Sequence, residues 1–387
     1  SLGHGDSAAA IPVNELVQQE RYRHLRDQIE SHLGTLKPVQ CHEDTEHPMG
    51  SGWAQFLDGT RGAGKSTFLY SAKNGLEVDK KIGDQLAFID LIDPSRIERS
   101  EIVLLVILQH IRVRVESTLK HSQNLKEDGL RDEWRRAFKG VAGGLSLFAK
   151  DYHPLDDLDP DLFLDWGLER ASHSTSLRKK LHRLFATACN ILGVKALILA
   201  FDDADTDSAH AVNLLECIRK YLDTPRVMVL VTGDLELYSL LVSQHFAEGV
   251  TGRKTAAMDL QFSEKQGNRS PQYLSMIDHL EEQYLLKLFP IRRRIQLLPL
   301  ASVMLTTEFS VKHPAWGDEP KPLGEFVREI VRQGMRVKSP TDVDTYTNFL
   351  LKQPLRSVLQ VLVTCAPHMP SPSLAKDMPQ AWSHQPL

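Results

Sequence analysis

Leu57-Asp58-Gly59-Thr60-Arg61-Gly62-Ala63-Gly64-Lys65-Ser66-Thr67 is the stretch on which the fold turns. It fits G-x-x-x-x-G-K-[ST], the pattern of a loop that cradles phosphate groups. Gly59, Gly62 and Gly64 let the backbone turn tightly and aim several N–H groups at one point. Lys65 supplies a compact positive charge for outer phosphates, and the hydroxyl of Ser66 is a ligand for Mg²⁺. Thr60, Arg61, Ala63 and Thr67 complete the candidate nucleotide-binding run. Ahead of it, Trp53 to Leu57 reads as a short strand. Behind it, Phe68-Leu69-Tyr70 reads as the first turn of a helix whose dipole adds to the anion site.

A second element lies far downstream. Ala196 to Phe201 is a continuous apolar run of strand length, as expected of a central parallel strand covered on both faces. Asp202 and Asp203 follow at its C-terminal end, where ligands sit in open α/β sheets. Asp202 is placed to hold Mg²⁺ through its water shell, and Asp203 to polarise an attacking water as general base. Asp205 and Asp207 read as an acidic loop leading to a helix N-cap. The two elements together predict an α/β fold: a P-loop NTPase core with a central parallel sheet flanked by helices, then a helical lid. ATP with Mg²⁺ is the expected ligand, because no Asn/Thr-Lys-x-Asp guanine motif follows downstream.

The chain has 387 residues, 42% of them hydrophobic, and a net charge of −4. That balance supports a substantial core and gives no global basic field that would advertise nucleic-acid binding. A local basic patch stays open. Cys41, Cys189, Cys217 and Cys365 are scattered with no C-x-x-C pair, and Cys41 with His42 and His47 lacks the second ligand cluster a zinc site would need. No apolar stretch reaches the length of a membrane span and no signal peptide is visible, so a cytoplasmic protein is expected. Ser1 in place of Met, and the polar, proline-rich end from His368 to Leu387, are expected of a piece of a longer chain.

Three regions are expected. Residues 1–45 form an N-terminal helical segment. Residues 46–305 form the nucleotide core, with an insertion near 120–175. Residues 306–387 form the helical lid and tail. Within the core, strands are expected at Leu86–Ile92, Ala196–Phe201, Arg226–Thr232 and Ile295–Leu300, alternating with helices. Such alternation implies right-handed crossovers and a parallel sheet. Gly249 to Pro271 is polar and glycine-containing and reads as a loop. A single helix is expected over Asp342–Thr364. Trp134 and Trp166, in the insertion, are expected to pack in the core.

The order of elements from Trp53 to Thr364 resembles the AAA+ superfamily and the related KAP and STAND-like P-loop ATPases. Arg61 before Gly62 is similar to the origin-recognition variant of the loop, and Asp202-Asp203 to the acidic pair these ATPases carry. Thr232, after the strand Val227 to Val231, occupies the place of a residue that orients the attacking water. Families often have Asn there, so either Thr232 or Asp234 fills that role. Gln283 through Ile295 resembles the helix-to-strand corner that carries an arginine finger, which implies Arg293 and Arg294, with Arg292, as candidates acting on a neighbour's nucleotide. Pro354-Leu355-Arg356 resembles the lid arginine that contacts nucleotide. Leu91 to Ser95, Val231 to Leu237 and Phe349 to Gln360 resemble bacterial defence ATPases, in particular those of RADAR-type anti-phage systems. That resemblance implies a homo-oligomeric ring working with an adenosine deaminase effector on a separate chain, since no H-x-E with P-C-x-x-C pattern is present here. A DNA-associated initiator or transposition-type ATPase, and a nucleotide-dependent scaffold with little turnover, are the competing readings.

Overall fold

The computed structural model describes residues 10–38, 47–48, 50–98, 101–121, 126–145, 160–205, 208–251, 270–313 and 319–369. Cys41, His42, Asp207 and most of the expected loop between Gly249 and Pro271 lie outside them. The chain forms two compact units. The first comprises His24–Asp58 and Lys73–Ile295, and the second Ser1–Arg23, Gly59–Ala72 and Gln296–Leu387.

The first unit is built on a five-stranded, all-parallel sheet flanked by helices. Its strands are β1 (Trp53–Asp58), β2 (Leu86–Phe88), β3 (Ala196–Phe201), β4 (Val227–Gly233) and β5 (Arg294–Gln296), in the order β2-β3-β4-β1-β5. The helices along this part of the chain are α1 (Gln19–Thr35), α2 (Lys65–Glu77), α3 (Val103–His121), α4 (Lys126–Leu145), α5 (Pro160–Leu192), α6 (Ser208–Lys220), α7 (Leu235–Thr251) and α8 (Ser270–Leu288). Every residue of β3 and β4 is buried, which is why Ala196–Phe201 and Val227–Val231 read as unbroken apolar runs instead of alternating ones. Alternate residues of the strands (Phe56 of β1, Leu199 and Phe201 of β3, Val229 and Val231 of β4) point into one core. Phe56 anchors it, edge-on to Tyr238 at 5.4 Å and tilted against Phe289 at 5.1 Å. Burying one such side chain contributes about 1.5–3 kcal/mol. Trp134 packs into the same core, as its position in the sequence suggested, and the side chain of Trp166 lies outside the description.

Three elements differ from the sequence expectation. The strand expected at Leu86–Ile92 is regular only to Phe88. Ile89 N–H bonds Ile198 O and Ile92 N–H bonds Ala200 O, so three steps of one chain span two of the other and the edge bulges. The fifth strand is three residues long and starts at Arg294. The long helix before β3 begins at Pro160, well inside the region expected as an insertion, and Gly140 to Gly144 lie within α4.

In the second unit, α9 (Leu323–Gly334), α10 (Pro340–Leu351) and α11 (Leu355–Cys365) pack around Phe326, Val327, Val358 and Leu362. The single helix expected over Asp342–Thr364 is broken at Pro354, which has no N–H to donate and stands as the N-cap of α11. A two-stranded antiparallel ribbon, Ser310–Val311 with Lys321–Pro322, precedes α9. No helix among the described residues is long and apolar enough to cross a membrane.

Candidate functional site

The glycine-rich loop belongs to the second unit. It starts with Gly59, the next residue in the chain after β1 ends. Gly62 and Gly64 have φ of +86° and +92°, a conformation that costs an L side chain roughly 1–2 kcal/mol. A Cβ on Gly62 would come within 3.3 Å of Pro354 Cβ, and one on Gly64 within 3.5 Å of Leu355. Gly62 O accepts a hydrogen bond from Arg356 N–H at 2.9 Å. Arg356, expected to serve the nucleotide, therefore lies directly on the loop together with Pro354, and the Arg356 side chain is exposed. Lys65 is the first residue of α2. Its side chain is only 7% exposed, and its ammonium donates to Gly59 O at 2.6 Å and reaches Thr60 O at 3.5 Å. No carboxylate among the described residues pairs with it. Ser66 and Thr67 follow in the first turn, half-buried, while Thr60 and Arg61 are exposed.

The acidic pair belongs to the first unit. β1, β3 and β4 run parallel, so Asp58, Asp202 and Gly233 end at one edge of the sheet. Asp202 is buried, and its Oδ1 accepts a 2.7 Å hydrogen bond from Thr232 Oγ1, itself wholly buried on the neighbouring strand. Asp203 N–H donates to the same hydroxyl oxygen at 3.3 Å. The Asp203 backbone has φ of +48°, left-handed for a residue with a side chain. Asp is among the few residues that tolerate this state, and the turn leaves its carboxylate exposed while Asp202 stays in. Thr232, expected to orient water, is thus bound to the acidic pair itself.

The other carboxylates at this edge hold the backbone. Asp205 Oδ2 accepts from Asp234 N–H at 2.9 Å, Asp58 Oδ1 from Leu235 N–H at 3.0 Å, and Asp234 Oδ1 from Glu236 N–H at 3.0 Å. Three acids therefore cap the start of α7, where helix N–H groups and dipole favour negative charge. Asp205 behaves as the loop acid its sequence suggested. Asp58 was not singled out from the sequence. The available signal was a lone carboxylate closing an apolar strand just before the glycines.

The arginines lie elsewhere in the first unit. Arg293 Nη1 donates to Gly52 O at 3.0 Å, and its guanidinium covers the Trp53 ring at 5.5 Å, at the beginning of β1. Burial, reinforced by Arg292, lowers its pKa from the ordinary guanidinium value. Arg294 Nε donates to Phe289 O at 2.8 Å. Burial lowers its pKa too, while Asp58 and Glu281 pull the other way. Arg292 is the exposed member of the three.

The loop's donor set suits an anion: two left-handed glycines, of which Gly62 sits where a Cβ would be crowded, and a buried ammonium facing only carbonyls. Taken singly, the Ser66 hydroxyl of the second unit and the Asp202 carboxylate of the first are oxygen ligands of the kind Mg²⁺ takes. Comparison with models of known protein families gives no match, and comparison with curated proteins gives none.

Proposed function

We propose that this chain binds and hydrolyses ATP as an AAA+-like P-loop ATPase. The observation that carries the reading is Lys65. A buried charge is ordinarily paired, yet this ammonium meets two backbone carbonyls and no carboxylate among the described residues. The phosphates of a nucleotide are the counter-charge that the loop's sequence and its left-handed glycines fit.

In this reading Lys65 and the backbone of Gly59 to Thr67 bind the phosphates, and Arg356 extends the binding from α11. Ser66 and Asp202 would hold Mg²⁺, which supplies charge neutralisation of the phosphates when bound. Asp203 takes the proton of the attacking water. Thr232 holds Asp202 in place through its 2.7 Å bond. Arg293 and Arg294 are the trans-acting candidates implied by the resemblance. The same resemblance is the basis for an oligomeric ring, an adenosine deaminase effector chain and a role in bacterial antiviral defence.

Replacing the base tests the chemistry. Asp203→Asn keeps the shape and removes the charge, so ATP should remain bound while turnover falls about a hundredfold or more. Steady-state phosphate release checks this. Hydrolysis at the parent rate would place the base elsewhere.

A further inference from the structure

The structure carries a second concentration of positive charge, at the opposite end of β1 from the acidic edge. A recess of about 160 Å³ opens beside Gly52 and Trp53, between the end of α6 and the end of α8. Four cations line it: Arg219, Lys287, Arg292 and Arg293. Arg219, Lys287 and Arg292 are exposed, and Arg293 is half-buried. None of the four has a carboxylate partner among the described residues. Two are held rigid by other means: Arg293 by Gly52 O and the Trp53 ring, and Arg219 by the Tyr284 ring, 5.1 Å from its guanidinium carbon.

The single acid in the lining is already committed. Asp223 accepts from Gly50 N–H at 2.7 Å and Gly52 N–H at 2.6 Å, and Arg178 reaches it at 3.4 Å. It therefore shapes the mouth of the recess without neutralising its rim. The floor is apolar, formed by Ala54, Val229, Ile218 and Leu288. Mutual repulsion adds to the charge imbalance, since Arg292 lowers the proton affinity of Arg293.

We propose that this recess binds a small organic phosphate, with the phosphate on the cationic rim and an apolar body on the floor. A phosphomonoester carries roughly −1.5 to −2 charges near neutral pH, which matches several unpaired cations better than a single carboxylate does. Guanidinium forks match phosphate oxygens in pairs. An extended nucleic-acid backbone fits less well: the cations gather at one recess instead of forming a track, and the chain has a net charge of −4. The site needs no nucleotide at the glycine-rich loop, but it draws on Arg292 and Arg293, which the resemblance implies as trans-acting candidates.

The test uses the full chain carrying Lys65→Ala, so that binding at the glycine-rich loop does not contribute, with phenyl phosphate as probe in a calorimetric titration. The expected result is one site per chain, with phenyl phosphate bound about tenfold more tightly than inorganic phosphate because only the former covers the floor. Adding Lys287→Ser and Arg292→Ser, both exposed and therefore tolerated by the fold, should weaken phenyl phosphate by about tenfold or more, the scale of one lost charge-assisted bond. Circular dichroism confirms that the variant is folded. No binding, equal affinity for the two probes, or unchanged affinity in the Lys287→Ser/Arg292→Ser variant would overturn the proposal. So would tight binding of a single-stranded oligonucleotide with none of phenyl phosphate. If ATP binding proves insensitive to Lys65→Ala, the loop assignment fails while this result stands or falls by itself.

Discussion

At the scale of single residues, the chemistry divides between what a pattern can announce and what only a fold can bring together. Gly62, Gly64 and Lys65 can be picked out directly, because their spacing is local. The positive φ of both glycines and the burial of Lys65 agree with that spacing. The bond from Thr232 to Asp202 was not legible, because it joins side chains 30 positions apart on different strands. A pattern can place Thr232 at a strand end but cannot say which partner its hydroxyl takes. The structure makes a definite prediction for it. Thr232→Val keeps the volume and leaves a buried carboxylate oxygen without its donor, a loss of about 1–3 kcal/mol. Chemical denaturation should show that loss, with ATP turnover reduced in parallel and both recovered in Thr232→Ser. Unchanged stability and turnover in the valine variant would mean that the hydroxyl does not position Asp202.

At the scale of elements, β3 and the Val227–Val231 part of β4 were readable because strands buried on both faces are apolar runs, whereas β1, interrupted by Gln55, was readable from its place ahead of the glycine-rich loop. The bulge after Phe88 and the shortness of β5 were not, since both occur at the sheet's two edges, where pairing with one neighbour weakens the sequence constraint. Pro354 marked the break between α10 and α11 in plain sight, and the apolar periodicity on both sides concealed it. The end of α1 illustrates how elements are tied together. His32 Nε2 lies 2.9 Å from Pro225 O, and its ring is 6.1 Å from that of Trp53. Burial lowers the His32 pKa below its ordinary 6.5, partly offset by the Pro225 bond and reinforced by Arg293. The unfolded chain therefore takes up a proton at His32 before the folded chain does. Stability from this group is full above pH 6.5 and declines as pH falls through the window below it. Denaturation midpoints measured from pH 7.5 down to about 5 should fall less steeply in His32→Gln, which stays neutral and can still donate to Pro225 O. Identical pH profiles for the two proteins would show that His32 is not a source of the acid sensitivity.

At the scale of the whole molecule, the position of the arginines bears on how the protein works. Arg293 is bound at the start of β1, whereas Asp202 and Asp203 lie at the far edge of the same sheet. An arginine so placed is remote from Asp202 and Asp203 of its own chain, in keeping with action on a neighbour's nucleotide. If that neighbour is needed, turnover per subunit should rise with protein concentration, by about a thousandfold or more for a finger supplied in trans. Phosphate release measured over a dilution series, alongside mass by light scattering, checks the dependence. Flat specific activity from monomer to assembly would count against a trans finger. The expectations about turnover depend on the loop binding a nucleotide, and calorimetric titration of ATP with Mg²⁺ into the parent chain and Lys65→Ala tests that most directly. The account predicts one ATP per parent chain and an affinity lower by about a hundredfold in a folded Lys65→Ala protein, the scale of two lost charge-assisted bonds. No binding to the parent chain, or equal binding to both, would contradict it.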